Sequence, residues 1–203
     1  MQHTIGRPVR ADARRNRERV LEAAVRAFAS DGADVTLEAI AKTAGVGIGT
    51  LYRHFPTRDA LVEAVYRQEL AHLCDAVPGL LRSLPADEAT RAWMDRFIDY
   101  MTTKRYMAGA LQAVIASGGD PYAESRARLI AAITTLLTAG ISAGTIRADV
   151  EPNDVLLALS GVSLAAGAPD QREQAGRLLD LLVDGLRHHA SGQAPSEPWS
   201  LDL

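Results

Sequence analysis

Apolar residues recur at intervals of three and four along nearly the whole 203-residue chain, and no stretch alternates β-branched with polar residues. That spacing puts side chains on one face of a helix, whereas a half-buried strand needs a period of two, so the pattern limits the chain to an all-α fold. A first helix is predicted from Ala13 to Ser30, with Val20, Leu21, Ala24, Val25 and Phe28 on one face and Gly32 ending it. Thr36 caps a short helix carrying Leu37, Ile40 and Ala41, which Gly45 stops. Val46 to His54 form a third, and Pro56-Thr57-Arg58-Asp59 opens a long fourth. Past breaks at Pro78-Gly79 and Pro85, further helices are predicted at Asp87–Thr103, Arg105–Ala116, Tyr122–Ala143, Pro152–Ala166 and Gln171–His189, about nine in all. Residues 1–13 read as a basic arm, 14–72 as a head, 80–190 as a second helical unit and 191–203 as an irregular tail.

Charge divides along the same line. Residues 1–56 hold nine basic against six acidic side chains, and the remainder holds thirteen against nineteen. A basic head on an acidic body is the footprint of a nucleic-acid reader carrying a separate second unit. Cys74 stands alone, so neither an internal disulfide nor a thiolate metal cluster is expected, and a reducing cytoplasm is the natural setting. Arg7 and Arg10 are not followed by the apolar run of a secretory signal, and the longest apolar stretch, Val155 to Ala168, is too short and too rich in Ser and Gly to span a bilayer. No membrane association is expected.

The most informative segment is Val35 to Arg58, VTLEAIAKTAGVGIGTLYRHFPTR. It reads as helix, tight turn, helix. Ala41 is small enough for a crossing helix, Gly45 permits a left-handed turn, and Val46 and Leu51 plug the angle between the two helices. The outer face of the second helix then carries the short residues Gly47, Ile48, Gly49 and Thr50, which let backbone approach a groove wall. Tyr52, Arg53 and His54 are placed to reach phosphates. The same glycines invite comparison with a nucleotide-binding loop. That reading fails because the preceding residues are helical, no Lys precedes the Thr, and no strand–helix–strand unit surrounds the segment.

These residues resemble the DNA-binding domain of the TetR family: Thr36, Ile40-Ala41, Ala44-Gly45-Val46, then Gly49-Thr50-Leu51-Tyr52-Arg53-His54-Phe55, and Arg58. The resemblance runs from about Arg14 to His72. It implies phosphate contacts from Thr36, Tyr52 and His54, base or backbone contacts from Gly47, Ile48 and Thr50, and a phosphate contact from Arg58, where relatives usually have Lys. Arg14 and Arg53 complete the expected DNA-binding set. Many relatives carry Ser or Ala and then a polar residue where this chain has Gly47 and Ile48, so apolar contact with a thymine methyl is expected there in place of hydrogen-bonded readout.

In the second unit, Trp93, Phe97, Tyr100, Met101 and Lys104 form a stripe on one predicted helix, although aromatics are only 5% of the chain. A ligand pocket is expected where Trp93, Phe97, Tyr100 and Met101 meet Met107 and Leu111 of the next helix and Ile133 and Leu137 of the one after, with Thr134 or Gln112 as polar contacts. The segments TKRYMAGALQAVIASGGDP and AGTIRADVEPNDVLLALSG are similar to the C-terminal domain of SbtR-like members of the family. Tyr106 stands where many of those have Gly, and its ring is expected to narrow or gate the pocket. Leu156, Leu159 and Val162, then Leu178, Leu182 and Leu186, give the last two helices apolar stripes expected to pair with those of a second subunit.

The expected function is a homodimeric transcriptional repressor that binds double-stranded operator DNA and is released by a small-molecule ligand. Two other classes compete with it. An enzyme needs a poised acid–base or nucleophilic set, yet His72, His188 and His189 lack metal-ligand companions and no Gly-x-Ser-x-Gly elbow is present, so neither catalysis nor a cofactor is expected. A helical adaptor binding protein through the basic head would lack the steep salt dependence of phosphate binding. Arg outnumbers Lys twenty to two, in keeping with a GC-rich bacterial genome.

Overall fold

A computed structural model describes residues 7–31, 35–166 and 168–187; the expected irregular tail, His188 and His189 lie outside these. The chain order is α1 (Arg7–Asp31), α2 (Leu37–Ala44), α3 (Ile48–His54), α4 (Arg58–Asp75), α5 (Val77–Ser83), α6 (Ala86–Tyr106), α7 (Ala108–Ala116), α8 (Ser125–Ser142), α9 (Pro152–Ala165) and α10 (Arg172–Leu186). The all-α class stands. Among the described residues the only β-type pairing is an isolated bridge between Ile146 and Arg187.

Two elements depart from the sequence reading for local reasons. Helix α1 begins at Arg7, so the second half of the expected arm continues the helix, and its charged residues offer no breaker to prevent this. Pro78-Gly79, read as a break, instead opens α5, because proline in a first helical turn removes only an N–H that has no intrahelical partner.

The head forms because α1 supplies a continuous apolar face. Val20, Leu21, Ala24 and Phe28 are fully buried against Ile40, Leu51, Leu61 and Val65, which brings α2, α3 and α4 around one helix. Each large side chain so buried contributes about 1.5–3 kcal/mol. Phe55 is buried at the end of α3, with the Arg17 guanidinium 5.4 Å from its ring centroid. Helix α4 runs out of the head and packs on α6, α7 and α8, while α10 lies against α6 and α9. The α6–α10 contact carries a charge cluster: Arg91 bonds Asp180 and Asp95, and Arg172 bonds Asp95 and Asp99. No helix among the described residues is long and apolar enough to cross a membrane.

Candidate nucleic-acid interface and ligand cavity

Helix α2 starts with Thr36 in extended conformation, its hydroxyl oxygen accepting from the Ala39 N–H at 3.2 Å. It ends at Gly45, whose φ of 65° lies in the left-handed region that glycine adopts without strain. There the Gly45 N–H donates to Lys42 O at 3.1 Å and the Val46 N–H to Ala41 O at 3.0 Å, closing the last turn and redirecting the chain. Three residues later α3 begins. Leu51 is fully buried at the crossing, which fixes the roll of α3 and turns its other side outward.

On that outward side Ile48 is 38% and Tyr52 44% exposed, beside exposed Gly47, Gly49 and Arg53 and half-buried Thr50 and His54. A large apolar and a large aromatic side chain thus stand in solvent on one short helix. The glycines sharpen the point, since a Cβ at Gly47 or Gly49 would meet nothing within 4 Å. Glycine within a helix is destabilising by about 0.5–1 kcal/mol relative to alanine. Nothing inside the protomer requires it at position 49. Thr36 is exposed at the start of α2, where amides without helical acceptors favour an anion.

Two predicted contacts are placed differently from one another. Arg14 is exposed on α1, with only a solvent-facing ion pair to Glu18 at 3.5 Å, and so projects from the head surface. Arg58 is half-buried: it donates to Val35 O, and its guanidinium lies 5.6 Å from the Phe28 ring centroid. Its position ties the start of α4 to the segment before α2, a bracing role that motif matching does not reveal.

The expected pocket residues separate into two groups. Phe97, Tyr100 and Met101 line a cavity of about 220 Å³ with Tyr66, Tyr122, Ser125 and Ser160. An adjoining cavity of about 350 Å³ is lined by Met101, Lys104, Arg105, Gln112, Ser160 and Leu164 among others. Trp93, Met107, Leu111, Ile133 and Leu137 are instead buried in the core and line neither cavity. Trp93 points toward the end of α4, where its indole N–H donates to Leu73 O at 3.0 Å. An aromatic stripe on a two-sided helix faces both core and cavity, and spacing alone does not divide it. Thr134 is exposed and donates to Ile130 O, and Tyr106 is exposed and lines neither cavity.

Inside the smaller cavity a chain of hydroxyls runs from Tyr100, which donates to the Tyr66 oxygen at 2.7 Å, to Tyr66, which donates to Ser125 Oγ at 3.0 Å. Burial, then the neighbouring Tyr66 phenol, pushes the Tyr100 pKa up, and burial does the same for Tyr122, so both stay neutral donors. Tyr66, Lys104, Tyr122 and Ser160 were not expected as pocket residues. The available signal was Lys104 itself, a lone charge within an otherwise apolar stripe.

The last two helices also divide their apolar residues. Leu156, Leu159 and Leu186 are buried in the protomer core, and Val162, Leu178 and Leu182 are half-buried. The large apolar side chains left in solvent are Leu157 at 55%, Leu164 at 85% and Leu181 at 69%. Each helix carries a second apolar stripe beside the buried one. Periodicity identified one stripe on each and could not say which faces out.

Residues 85–188 match the family model for the C-terminal domain of SbtR-like transcriptional regulators, and residues 20–65 match that for bacterial regulatory proteins of the tetR family. An HTH-type transcriptional repressor of Mycobacterium tuberculosis is 31% identical over 84% of this chain and 92% of its own length. Among solved structures, a TetR transcriptional regulator of Streptomyces coelicolor is similar at 58% identity and a TM-score of 0.82, over 86% of this chain and 99% of that one. A TetR regulatory protein of Mycobacterium vanbaalenii follows at 36% identity and 0.72, over 89% and 100%.

Proposed function

The chain belongs to the TetR family of bacterial transcriptional regulators, and on that footing we propose that it is a homodimeric repressor that reads a near-palindromic operator and leaves it when a small molecule enters the cavity bounded by α4, α6, α8 and α9. The observation that carries the reading is the outward face of α3, with Ile48 and Tyr52 in solvent beside two glycines that no internal packing demands. In this reading α3 lies in the major groove and Ile48 meets a thymine methyl. Gly47, Gly49 and Thr50 allow close approach, while Thr36, Tyr52, Arg53, His54 and Arg14 bond phosphates. Such a protein works where the chromosome is, in the cytoplasm, and performs no catalysis.

A dimer places two heads on one duplex, and the faces left unpartnered by the protomer supply its contact. Leu157, Gly161 and Leu164 share one side of α9, and Leu178, Leu181, Leu182 and Gly185 one side of α10. A Cβ at Gly161 or Gly185 would meet nothing in the protomer, so both leave room for a partner backbone. Two copies of this pair related by a twofold axis make a four-helix contact.

Selection of bound duplexes from random oligonucleotides tests the reading. It is expected to return a palindrome with half-sites about one helical turn apart, bound with an affinity that falls steeply with salt. Tyr52→Phe is expected to weaken every selected sequence alike, by about tenfold per phosphate hydrogen bond lost. Replacing Ile48 is expected to change base preference at one position by about 1–3 kcal/mol. No enriched sequence, or binding indifferent to salt, would overturn the assignment.

Gly49→Ala offers a second, opposed pair of effects. The open space at its Cβ predicts a head more stable by about 0.5–1 kcal/mol, while the added methyl presses against the groove wall and weakens operator binding. Thermal melting and a DNA titration on one preparation check both signs. A variant that is more stable and binds normally would remove Gly49 from the interface.

A further inference from the structure

The two adjoining cavities share Met101, Lys104, Tyr122 and Ser160 and differ from the rest of the surface in their charge. The body of the protein is acidic, yet no Asp or Glu lines either cavity, while Lys104, Arg105 and Arg126 all do. Two of the three cations are already occupied. Arg105 donates to Ser163 O at 2.7 Å, and Arg126 bonds the Asn153 side chain. Lys104 is half-buried, and none of the ion pairs among the described residues includes it. Its recorded neighbours are the ring faces of Tyr122 at 4.4 Å and Tyr66 at 5.8 Å.

From this arrangement we propose that the cavity takes an organic anion with an apolar body, its acid group held by Lys104 and Tyr122 and its hydrocarbon part lying against Met101, Phe97 and Leu164. The inference rests on the ligand-responsive reading above and names the chemical class of the ligand. An ammonium drawn partly out of water and given only ring faces is incompletely compensated, and an incoming anion supplies what is missing. Burial already weakens the hold of Lys104 on its proton, and a bound anion reverses that trend. A cationic ligand would meet three positive groups with no carboxylate to answer it. A neutral apolar ligand would fill the volume and leave Lys104 buried further without a counter-charge. In the hydroxyl chain the Tyr100 and Tyr66 protons are already donated, to Tyr66 and to Ser125, so those two phenols do not compete for the acid group.

Anilinonaphthalene sulfonate and phenylnaphthylamine share one aromatic skeleton and differ by the sulfonate, which makes them matched probes of the full-length protein. The anion is expected to bind about tenfold to a hundredfold more tightly than the neutral dye, the size of one charge-assisted hydrogen bond in a sheltered site. Lys104→Met, which keeps the stem and removes the charge, is expected to abolish that preference by weakening the anionic dye and not the neutral one. Lys104→Arg is expected to restore it. Ser160→Trp, which fills the shared wall of the two cavities, is expected to reduce both dyes and so locates them. Equal binding of both dyes in the wild type, or a preference that survives Lys104→Met, would overturn the anion assignment and leave a ligand cavity standing. If neither dye binds in a manner sensitive to Ser160→Trp, the cavity is no ligand site and the broader reading falls with the inference.

Discussion

Leu181→Glu is expected to convert the protein into a folded monomer and to lower its affinity for a full palindromic operator by about a hundredfold to ten-thousandfold, leaving its affinity for an isolated half-site unchanged. The expectation follows from where Leu181 stands. It is 69% exposed on α10, so a glutamate there is well solvated in the separate protomer and does not disturb its core. In a twofold contact the same residue meets its own copy or that copy's neighbours, where two carboxylates brought out of water repel one another. Affinity then falls because each head must find its half-site alone. Leu179→Glu, two residues earlier on α10, is the contrasting variant: Leu179 is fully buried, and the charge there is expected to unfold the protomer. Light scattering gives the mass, and titration of palindrome against half-site gives the affinities. A Leu181→Glu protein that keeps dimeric mass and full operator affinity would place the subunit contact elsewhere.

The contrast between Leu179 and Leu181 shows where sequence reading stops. Helix existence was legible everywhere but at α5, because apolar spacing, Thr36 and Gly45 act within a few residues, and α6 to α10 fall close to their predicted limits. The α3 face was legible for the same reason: once Leu51 is known to plug the crossing, the outward residues follow from helical geometry. Orientation of a helix with two apolar sides is a tertiary property. On α9 the stripe through Leu156 and Leu159 turns inward and that through Leu157 and Leu164 outward, and the two differ by about one residue of rotation. Arg58 gives a smaller instance. Its motif position implies phosphate, and beside that its bond to Val35 O, twenty-three residues away, and its place over Phe28, thirty residues away, are tertiary contacts that no local spacing reveals. The cavity was the least legible part, because it is built from Tyr66, Lys104, Tyr122 and Ser160 on different elements and no local spacing joins them.

Trp93→Ala separates a wall of the cavity from a strut of the fold, and the expected result is a loss of about 3–5 kcal/mol in stability. Trp93 is 1% exposed and is among the largest fully buried side chains, so its removal leaves a void that the surrounding helices fill only in part. Its indole N–H also donates to Leu73 O in the last turn of α4, where helical carbonyls lack intrahelical partners. The side chain therefore pins the end of α4, the helix that leaves the head, onto α6. Trp93→Phe retains most of the volume and loses that bond, and it is expected to give back part of the stability while still falling short of wild type by about 1–3 kcal/mol. Chemical denaturation followed by circular dichroism at one fixed protein concentration measures all three, since association of subunits otherwise shifts the midpoint. At low denaturant both variants are expected to bind the dyes with the wild-type preference for the anion, because Trp93 lines neither cavity while Lys104 is intact. A Trp93→Ala protein of nearly wild-type stability that has lost dye binding would reverse the assignment and return Trp93 to the ligand.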